Sequence, residues 1–425
     1  MNKKLNLAVA GAVLALGATA AHAGIIIPAG DWTLDIGGNV NTFYTYTDSD
    51  DAAGITGGLA GTAGADDKST NITTGLLPNY LSVSGKTRQN DLDVGFTISI
   101  QPGSSTNNAL IQGAGANQEN RQAFLTFGDK SWGSIKVGKD LGIFGSDAIL
   151  SDMTLLGVGA GAGFLSGNTT TLGGIGTGYL YADWKSQISY WSPNWNGFSF
   201  AVGVMQPWQA IGTGSPVNQT RKEPGFEGKV NYEWAGDVSG KIWASFITQK
   251  VEDLTTAGTP AGFITNATGA IIGVQTTPVA GVNVGSDRAT GFDVGATVNL
   301  AGFALTGYYY DGEGIGTTGF LNLGYDATGK ARDSNGGYVQ AVYALPGVGT
   351  KLGASWGVSK LDDNAADAGL NLVDENERWT LGVYHPLTKH LNLVAEYSNV
   401  KSESHLAGAD DNESDTISAG AILFF

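Results

Sequence analysis

The chain has 425 residues, a formal charge of −16 and no cysteine, which excludes a disulfide scaffold, a thiol nucleophile and thiolate metal sites and argues against a nucleic-acid binder. Charged residues make up 15%, aromatics 10%, and 65 residues are glycine, whereas an average soluble domain carries about 25% charged residues and about 7% glycine. The wealth of aromatic and β-branched residues excludes general disorder.

At the N-terminus, Lys3 and Lys4 precede an apolar run from Leu5 to Ala21, and Ala21-His22-Ala23 follows the A-x-A cleavage pattern. Residues 1–23 therefore read as a secretory signal peptide. Its removal leaves Gly24–Phe425, a single unit of 402 residues, and takes the charge from −16 to −18 with the loss of Lys3 and Lys4. No later stretch approaches the ~20 apolar residues of a spanning helix, so if this exported chain enters a membrane it does so as a barrel.

The rest of the chain alternates with a period of two. Leu92, Val94, Phe96, Ile98 and Ile100 alternate with Asp93, Gly95, Thr97, Ser99 and Gln101. Phe226, Val230, Tyr232 and Trp234 fall on one face, with Glu227, Lys229, Asn231 and Glu233 on the other. A strand separates these sets and a helix mixes them. The pattern predicts strands near 32–46, 79–86, 91–101, 120–127, 133–140, 185–191, 197–206 and 225–234. It predicts eight more near 239–250, 288–299, 302–311, 335–345, 350–360, 376–385, 389–401 and 414–425, making sixteen.

The connections are sorted by length. Short ones include Gly128–Trp132, Ser192–Asn196 and Ala235–Val238; long ones include Thr47–Pro78, Gly142–Trp184, Val251–Asp287 and Gly312–Ser334. That sorting is the mark of a transmembrane antiparallel β-barrel of the outer-membrane type, all-β, with short periplasmic turns and long outer loops. An even strand number lets the last strand pair with the first and removes the sheet edges. Aromatics at strand ends suit the headgroup zone: Trp32, Tyr44, Tyr46, Trp191, Trp195, Trp234, Tyr308, Tyr309, Tyr310, Phe424 and Phe425.

Alternation gives an inner face that carries Arg121, Lys185, Lys229, Lys241, Lys351 and Arg378 against Asp35, Asp93, Glu227, Glu233, Asp293 and Glu396. The wall is thus near neutral, and the excess negative charge falls in loops such as Asp48–Asp51, Asp362–Asp363 and Asp410–Asp415. Acidic mouths concentrate cations, so a mild cation preference that salt weakens is expected.

A chain that ends on a strand with Phe425 resembles Gram-negative outer-membrane proteins, and within that class the trimeric, sixteen-stranded general porins. The resemblance covers nearly the whole mature chain in strand number and loop order. It rests most on Arg121-Gln122-Ala123-Phe124, Gly133-Ser134-Ile135-Lys136-Val137-Gly138-Lys139, Asp147-Ala148, Ser151-Asp152-Met153, Lys185, Tyr190-Trp191-Ser192-Pro193 and Gly197-Phe198. It implies a third outer loop, about 141–184, that folds into the lumen and sets acids against a basic ladder on the wall. Asp147 and Asp152 match the acids, Arg121 and Lys185 the bases. Lys139 matches a further base, although its parity with Ile135 and Val137 leaves its direction open. Tyr80 stands where the family often has an arginine, and Met153-Thr154-Leu155-Leu156-Gly157 lacks the acid that often follows, which implies a less polarised and more apolar constriction.

The loop's own residues fit an inward path. Ser146 or Ser151 suits a helix cap, Asp147 or Asp152 the positive helix N-terminus, and Gly157 the helix end. The resemblance further implies a homotrimer in contact with outer-membrane lipids, with small hydrophilic solutes and ions as cargo. Gly38, Thr42, Gln122 and Thr126 read as outward positions better suited to a protein interface than to lipid, and the Pro102–Glu119 loop reads as a clasp.

Passive diffusion is the favoured reading. A substrate-selective channel would need a row of lumen aromatics, to which Tyr80, Trp243, Tyr308 and Tyr310 are candidates without forming an evident row; a surface adhesin or structural barrel would need an occluded lumen. No enzyme is expected, since His385, His390 and His405 sit in turns or loops away from any candidate nucleophile, and no cofactor or metal pattern is present.

Overall fold

The computed structural model describes residues 24–50, 54–61, 67–105, 118–161, 170–212, 216–256, 262–265, 271–275 and 280–425. The signal-peptide reading of residues 1–23 lies outside them, as does most of the Pro102–Glu119 clasp.

Sixteen strands form one closed antiparallel barrel. They are β1 Trp32–Ser49, β2 Tyr80–Gln89, β3 Leu92–Pro102, β4 Gln118–Asp129, β5 Gly133–Leu141, β6 Trp184–Trp191, β7 Phe198–Met205 and β8 Gly225–Trp234. They continue as β9 Val238–Thr255, β10 Asn283–Leu300, β11 Phe303–Glu313, β12 Asp333–Ala344, β13 Lys351–Leu361, β14 Val373–Pro386, β15 Leu391–Ser404 and β16 Asn412–Phe424. Each neighbour pair is antiparallel, and β16 closes on β1 from Asn39↔Phe424 to Ser49↔Ser414. All sixteen predicted strands are present. The short strands Ile25–Ala29, Lys68–Thr73 and Val217–Thr220, which extend the sheet at β1 and β9, were not predicted.

Turn chemistry fixes the hairpins. Asn90 and Asp91, between β2 and β3, have φ of 48° and 61°, the left-handed pair that matches strand twist in a two-residue hairpin. Outward positions such as Val40, Ile98, Leu125, Val294, Leu381 and Ile417 are exposed apolar side chains, as a lipid-facing band requires. Partners Asn39, Ser99, Lys229 and Gln340 on the other face are buried, and the twelve inner charges read from alternation all lie on this inner face.

Some faces differ from expectation. The register shifts between Ser99 and Gln101 against β4, a bulge that inserts one residue and flips parity. Arg121 therefore points inward, and so do Gln122, which bonds Asp140, and Thr126. Gln122 and Thr126 thus do not belong to an outer interface, whereas Gly38 and Thr42 keep the outward parity of Val40. Tyr308 and Tyr310, assigned to the headgroup zone, are buried inside; Tyr309 between them is exposed. The largest apolar core lies within the barrel, where Phe144, Ile149, Tyr179 and Leu180 of the long β5–β6 loop pack on Trp243, Tyr308, Tyr310 and Tyr338 of the wall.

Candidate functional site

The β5–β6 loop folds inward and lies along the wall from β8 to β16. It contains the helix α1, Ser146–Ser151, and a 3-10 turn, Met153–Leu156. Gly145, with φ of 71°, precedes α1 without a side-chain cap. Ser146 is the first helical residue, and its hydroxyl donates to the Ile143 carbonyl at 2.7 Å, so neither serine caps α1. Asp152 caps the 3-10 turn instead, accepting from the Thr154 N–H at 2.9 Å, and Gly157 ends it.

Wall side chains hold the loop backbone in sequence. Glu227 on β8 accepts from the Ile143 N–H at 2.9 Å, and Asp293 on β10 from the Gly145 N–H at 3.2 Å. Tyr338 on β12 donates to the Ala148 carbonyl at 2.8 Å. Gln340, two residues on, donates to the Ser151 carbonyl at 2.6 Å and accepts from the Met153 N–H at 3.0 Å. Glu396 on β15 accepts from the N–H groups of Val158 and Gly159, at 2.7 and 2.9 Å, and from the Tyr384 hydroxyl at 2.7 Å. Carboxylates that accept several N–H and O–H donors form strong charge-assisted bonds and need no cation beside them.

The charged residues singled out from sequence fall into different settings. Asp147 is buried between Lys229, which donates to it at 2.9 Å, and Lys241, which pairs with its other oxygen. Asp152 accepts from the Tyr179 hydroxyl at 2.8 Å and the Gly174 N–H at 3.0 Å. Lys185 is fully buried, pairs with Glu227, and lies 5.5 Å from the Trp208 and Phe320 rings. Arg121 is buried, donates to Glu119 at 2.6 Å and stacks 5.9 Å from the Trp184 ring. Tyr80 lies on the inner face of β2 opposite Asn39. Lys139 is the correction: it pairs across from the exposed Ser186, points away from the lumen and donates to the Asn120 carbonyl at 2.9 Å. The alternation with Ile135 and Val137 decides its direction.

The inward base of that strand is Lys136, four residues before Asp140, with which it pairs. Its ammonium lies 5.0 Å from the Phe124 ring and 4.5 Å from the Trp191 ring. Lys136, Lys229, Lys241, Glu227 and Glu396 were not singled out as site residues. Alternation signalled their inward direction for all but Lys136, and nothing in the sequence signalled their partners.

The acids of the loop thus do not face the basic ladder across open space: Asp147 is bonded to the wall on which the loop lies, and Asp152 to the loop's own Thr154, Gly174 and Tyr179. A continuous aromatic file does exist, with ring centroids of Trp243–Tyr308, Tyr308–Tyr338 and Tyr338–Tyr179 at 6.5, 5.6 and 5.7 Å. All four rings are buried; Trp243, Tyr308 and Tyr338 belong to the wall that seats the loop, and Tyr179 is the loop's own ring packed on them. On β2–β5, by contrast, the inward Tyr80, Ser82, Thr97, Gln122, Phe124 and Lys136 are half-buried. Among the described loop residues from Gly142 to Ala182, Leu150, Ser151 and Leu155 are partly exposed.

Two further outer loops turn inward above this level. The Leu59 N–H donates to Asn376 and Ser402 of β14 and β15, each at 2.9 Å. The Tyr181 N–H donates to the Thr318 carbonyl of the β11–β12 loop at 2.9 Å. That loop is tied to the next by Arg332, whose guanidinium donates to both oxygens of Asp367 at 2.8 and 2.6 Å. Burial alone would push the Asp367 carboxyl up, but the bonds from Arg332 and the Asn364 N–H hold it below the ordinary carboxylate value.

A family model described as "Gram-negative porin" matches residues 10–421. No sequence among the curated proteins matches. Among solved structures, the outer membrane channel DcaP of Acinetobacter baumannii is similar at 13% identity and TM-score 0.65, over 94% of this chain and 99% of that one. The anion-selective porin of Comamonas acidovorans is similar at 15% identity and TM-score 0.58, over 93% and 100%. OmpT of Vibrio cholerae, in a trimer form, is similar at 14% identity and TM-score 0.54, over 93% and 99%. At these identities the likeness is one of fold.

Proposed function

As the chain belongs to the Gram-negative porin family and forms an outer-membrane β-barrel channel, we propose that it passes small hydrophilic solutes and ions by passive diffusion, as a homotrimer with a mild preference for cations. The observation that carries this reading is the asymmetry of the lumen. The inward loop is fastened to the β8–β16 wall, and the β2–β5 wall keeps half-buried, mostly neutral polar side chains. A path between them would run past Leu150 and Leu155 on one side and Tyr80, Ser82, Thr97 and Gln122 on the other. Such a lining offers hydrogen bonds to hydrated solutes without a tight charge site for any one of them.

The cation preference rests on the formal charge of −16 and on the acidic loops, since acidic mouths raise the local cation concentration. Charge and not fold sets the sign, because the Comamonas porin of the same fold is anion-selective. The constriction is assigned to Tyr80, Arg121 and Lys136 of the wall and to the loop carrying Asp147 and Asp152, with Lys185 as a buried support.

Single-channel conductance in a planar bilayer under a KCl gradient tests the whole reading. Ohmic openings in steps of three, with a zero-current potential of cation sign, are expected. A barrel that is folded and heat-resistant yet does not conduct would overturn diffusion and leave an adhesin or structural role. A potential of anion sign would overturn the selectivity alone.

A further inference from the structure

Below α1, on the side of the short turns, a cavity of about 310 Å³ is roofed by Leu150 and Ser151 at the end of the helix. Two inward rows of side chains cross the wall here from β9 to β12. In the upper row Lys241, Thr297, Thr306 and Gln340 stand opposite one another in turn, and each is already engaged. Lys241 pairs with Asp147, the Thr297 and Thr306 hydroxyls share a bond at 2.9 Å, and Gln340 holds the loop backbone at Ser151 and Met153. The lower row is Ser239, Asn299, Ala304 and Val342. Ser239 and Asn299 are half-buried, line the cavity and make no side-chain hydrogen bond among the described residues. Ala304 and Val342 continue the row as apolar wall. Leu300 and Phe303 at the rim follow the outward parity of Val294 and Leu305, are exposed, and take no part.

The lower row selects the ligand class. Side chains directly opposed on neighbouring strands are close enough to engage one ligand together, and a hydroxyl and a carboxamide each offer a donor and an acceptor. Ser239 and Asn299 therefore suit adjacent hydroxyl groups, which also donate and accept, while Ala304 and Val342 under Leu150 suit a C–H face. No charge in the lining calls for a counter-ion: Lys351 is already engaged, and Asp237 stands exposed at the β8–β9 turn. A charged ligand would lose water there without an unpaired opposite charge to meet it. A neutral ring with a hydroxyl edge and an apolar face meets these demands, and a volume at the low end of small-molecule sites admits a single ring. We propose that the cavity binds neutral monosaccharides in their pyranose form. The proposal rests on the channel reading above in so far as it names a solute class at one place in the lumen; binding itself does not require conduction.

The test is saturation-transfer difference NMR of the full barrel in a zwitterionic detergent, with methyl β-glucopyranoside as probe and glucuronate, the same ring carrying a carboxylate, as control. Saturable transfer to the glucoside is expected, with glucuronate much the weaker. Asn299→Leu, close in size and without a hydrogen bond to lose in the free protein, is expected to raise the half-saturation concentration roughly tenfold, as the loss of two neutral hydrogen bonds implies. Val342→Trp, which fills the cavity, is expected to abolish saturation; if it fails to fold, Asn299→Leu decides. No saturable transfer, equal binding of glucuronate, or a midpoint unmoved in Asn299→Leu would overturn the site. Conductance of the same preparation separates the two readings. A barrel that binds the glucoside and does not conduct overturns the channel alone, and one that conducts and does not bind it overturns the site alone.

Discussion

On the wall from β8 to β16, inner side chains find their partners far along the chain. Lys229 and Lys241 reach Asp147 across 82 and 94 residues, and Glu396 reaches Val158 across 238. On the wall from β2 to β5 the partners are nearer: Lys136 pairs with Asp140, Arg121 with Glu119, and Arg88 with Asp93 and, 41 residues on, with Asp129. The first wall is thus a seat for the folded loop, with nearly every inner side chain buried. The second is a surface whose charges are balanced within their own strand or by a neighbouring hairpin. The same residue types do different work. A charge on the covered wall holds a loop in place, and a charge on the other wall shapes the field in the lumen.

The largest effect is expected from Asp147→Ala. It leaves Lys229 with the Ser146 hydroxyl at 3.0 Å and Lys241 with Glu233 at 3.7 Å. Removing one partner of a buried pair costs about 3–5 kcal/mol. Greater open-channel noise and a lower unfolding temperature of the barrel are expected; a quiet channel would show that the loop is held elsewhere.

Asp367→Asn comes next. It removes the charge opposite Arg332, and losing a charged hydrogen bond costs roughly 1.5–3 kcal/mol. Because the Asp367 carboxyl is held below its ordinary value, its contribution is complete above the unfolded value of about 3.9. That contribution is lost as pH falls through the lowered, folded value. Limited proteolysis of the outer loops is therefore expected to stay slow at pH 5 and to quicken only on stronger acidification, with the variant fast at both. A parent that loosens between pH 5 and 7 would contradict the clasp.

Smaller still, Lys136→Gln on the other wall is expected to change stability by less than about 1 kcal/mol, as for a pair with partial solvent access. It should move the zero-current potential toward cations by removing an inward positive charge. An unchanged potential would place the ion path away from β5. The smallest effect belongs to Lys139→Ala. No change in conductance or selectivity is expected, and any clear change would return Lys139 to the lumen.

How legible the site was depended on which signal carried it. Alternation fixed the inward direction of Lys185, Lys229, Lys241, Arg378, Glu227, Asp293 and Glu396 without help. It left the direction of Lys139 open beside Ile135 and Val137, where the family resemblance implied a lumen base, and the pairing with Ser186 turns it outward. It failed for Gln122 and Thr126, because the bulge beside Gln101 changes which residues of β4 face the lumen. A one-residue insertion flips every side chain beyond it, and no composition signal in Asn120-Arg121-Gln122 marks the place. The headgroup assignment of Tyr308 and Tyr310 failed for a related reason. An aromatic near a strand end suits either interface or core, and only the loop packed over it decides.

By itself the sequence determined the sixteen strands, their order, the sorting of turns from loops and the barrel closure. Each follows from rules that act over a few residues: a side-chain period of two, turn residues at short spacings and an even strand count. Tertiary structure alone decided which acid meets which base, that Lys185 is sealed beneath Trp208 and Phe320, and that three outer loops turn inward. Those outcomes depend on contacts between segments tens to hundreds of residues apart. Their geometry is set by the path of glycine-rich loops, on which the alternation of the strands imposes nothing.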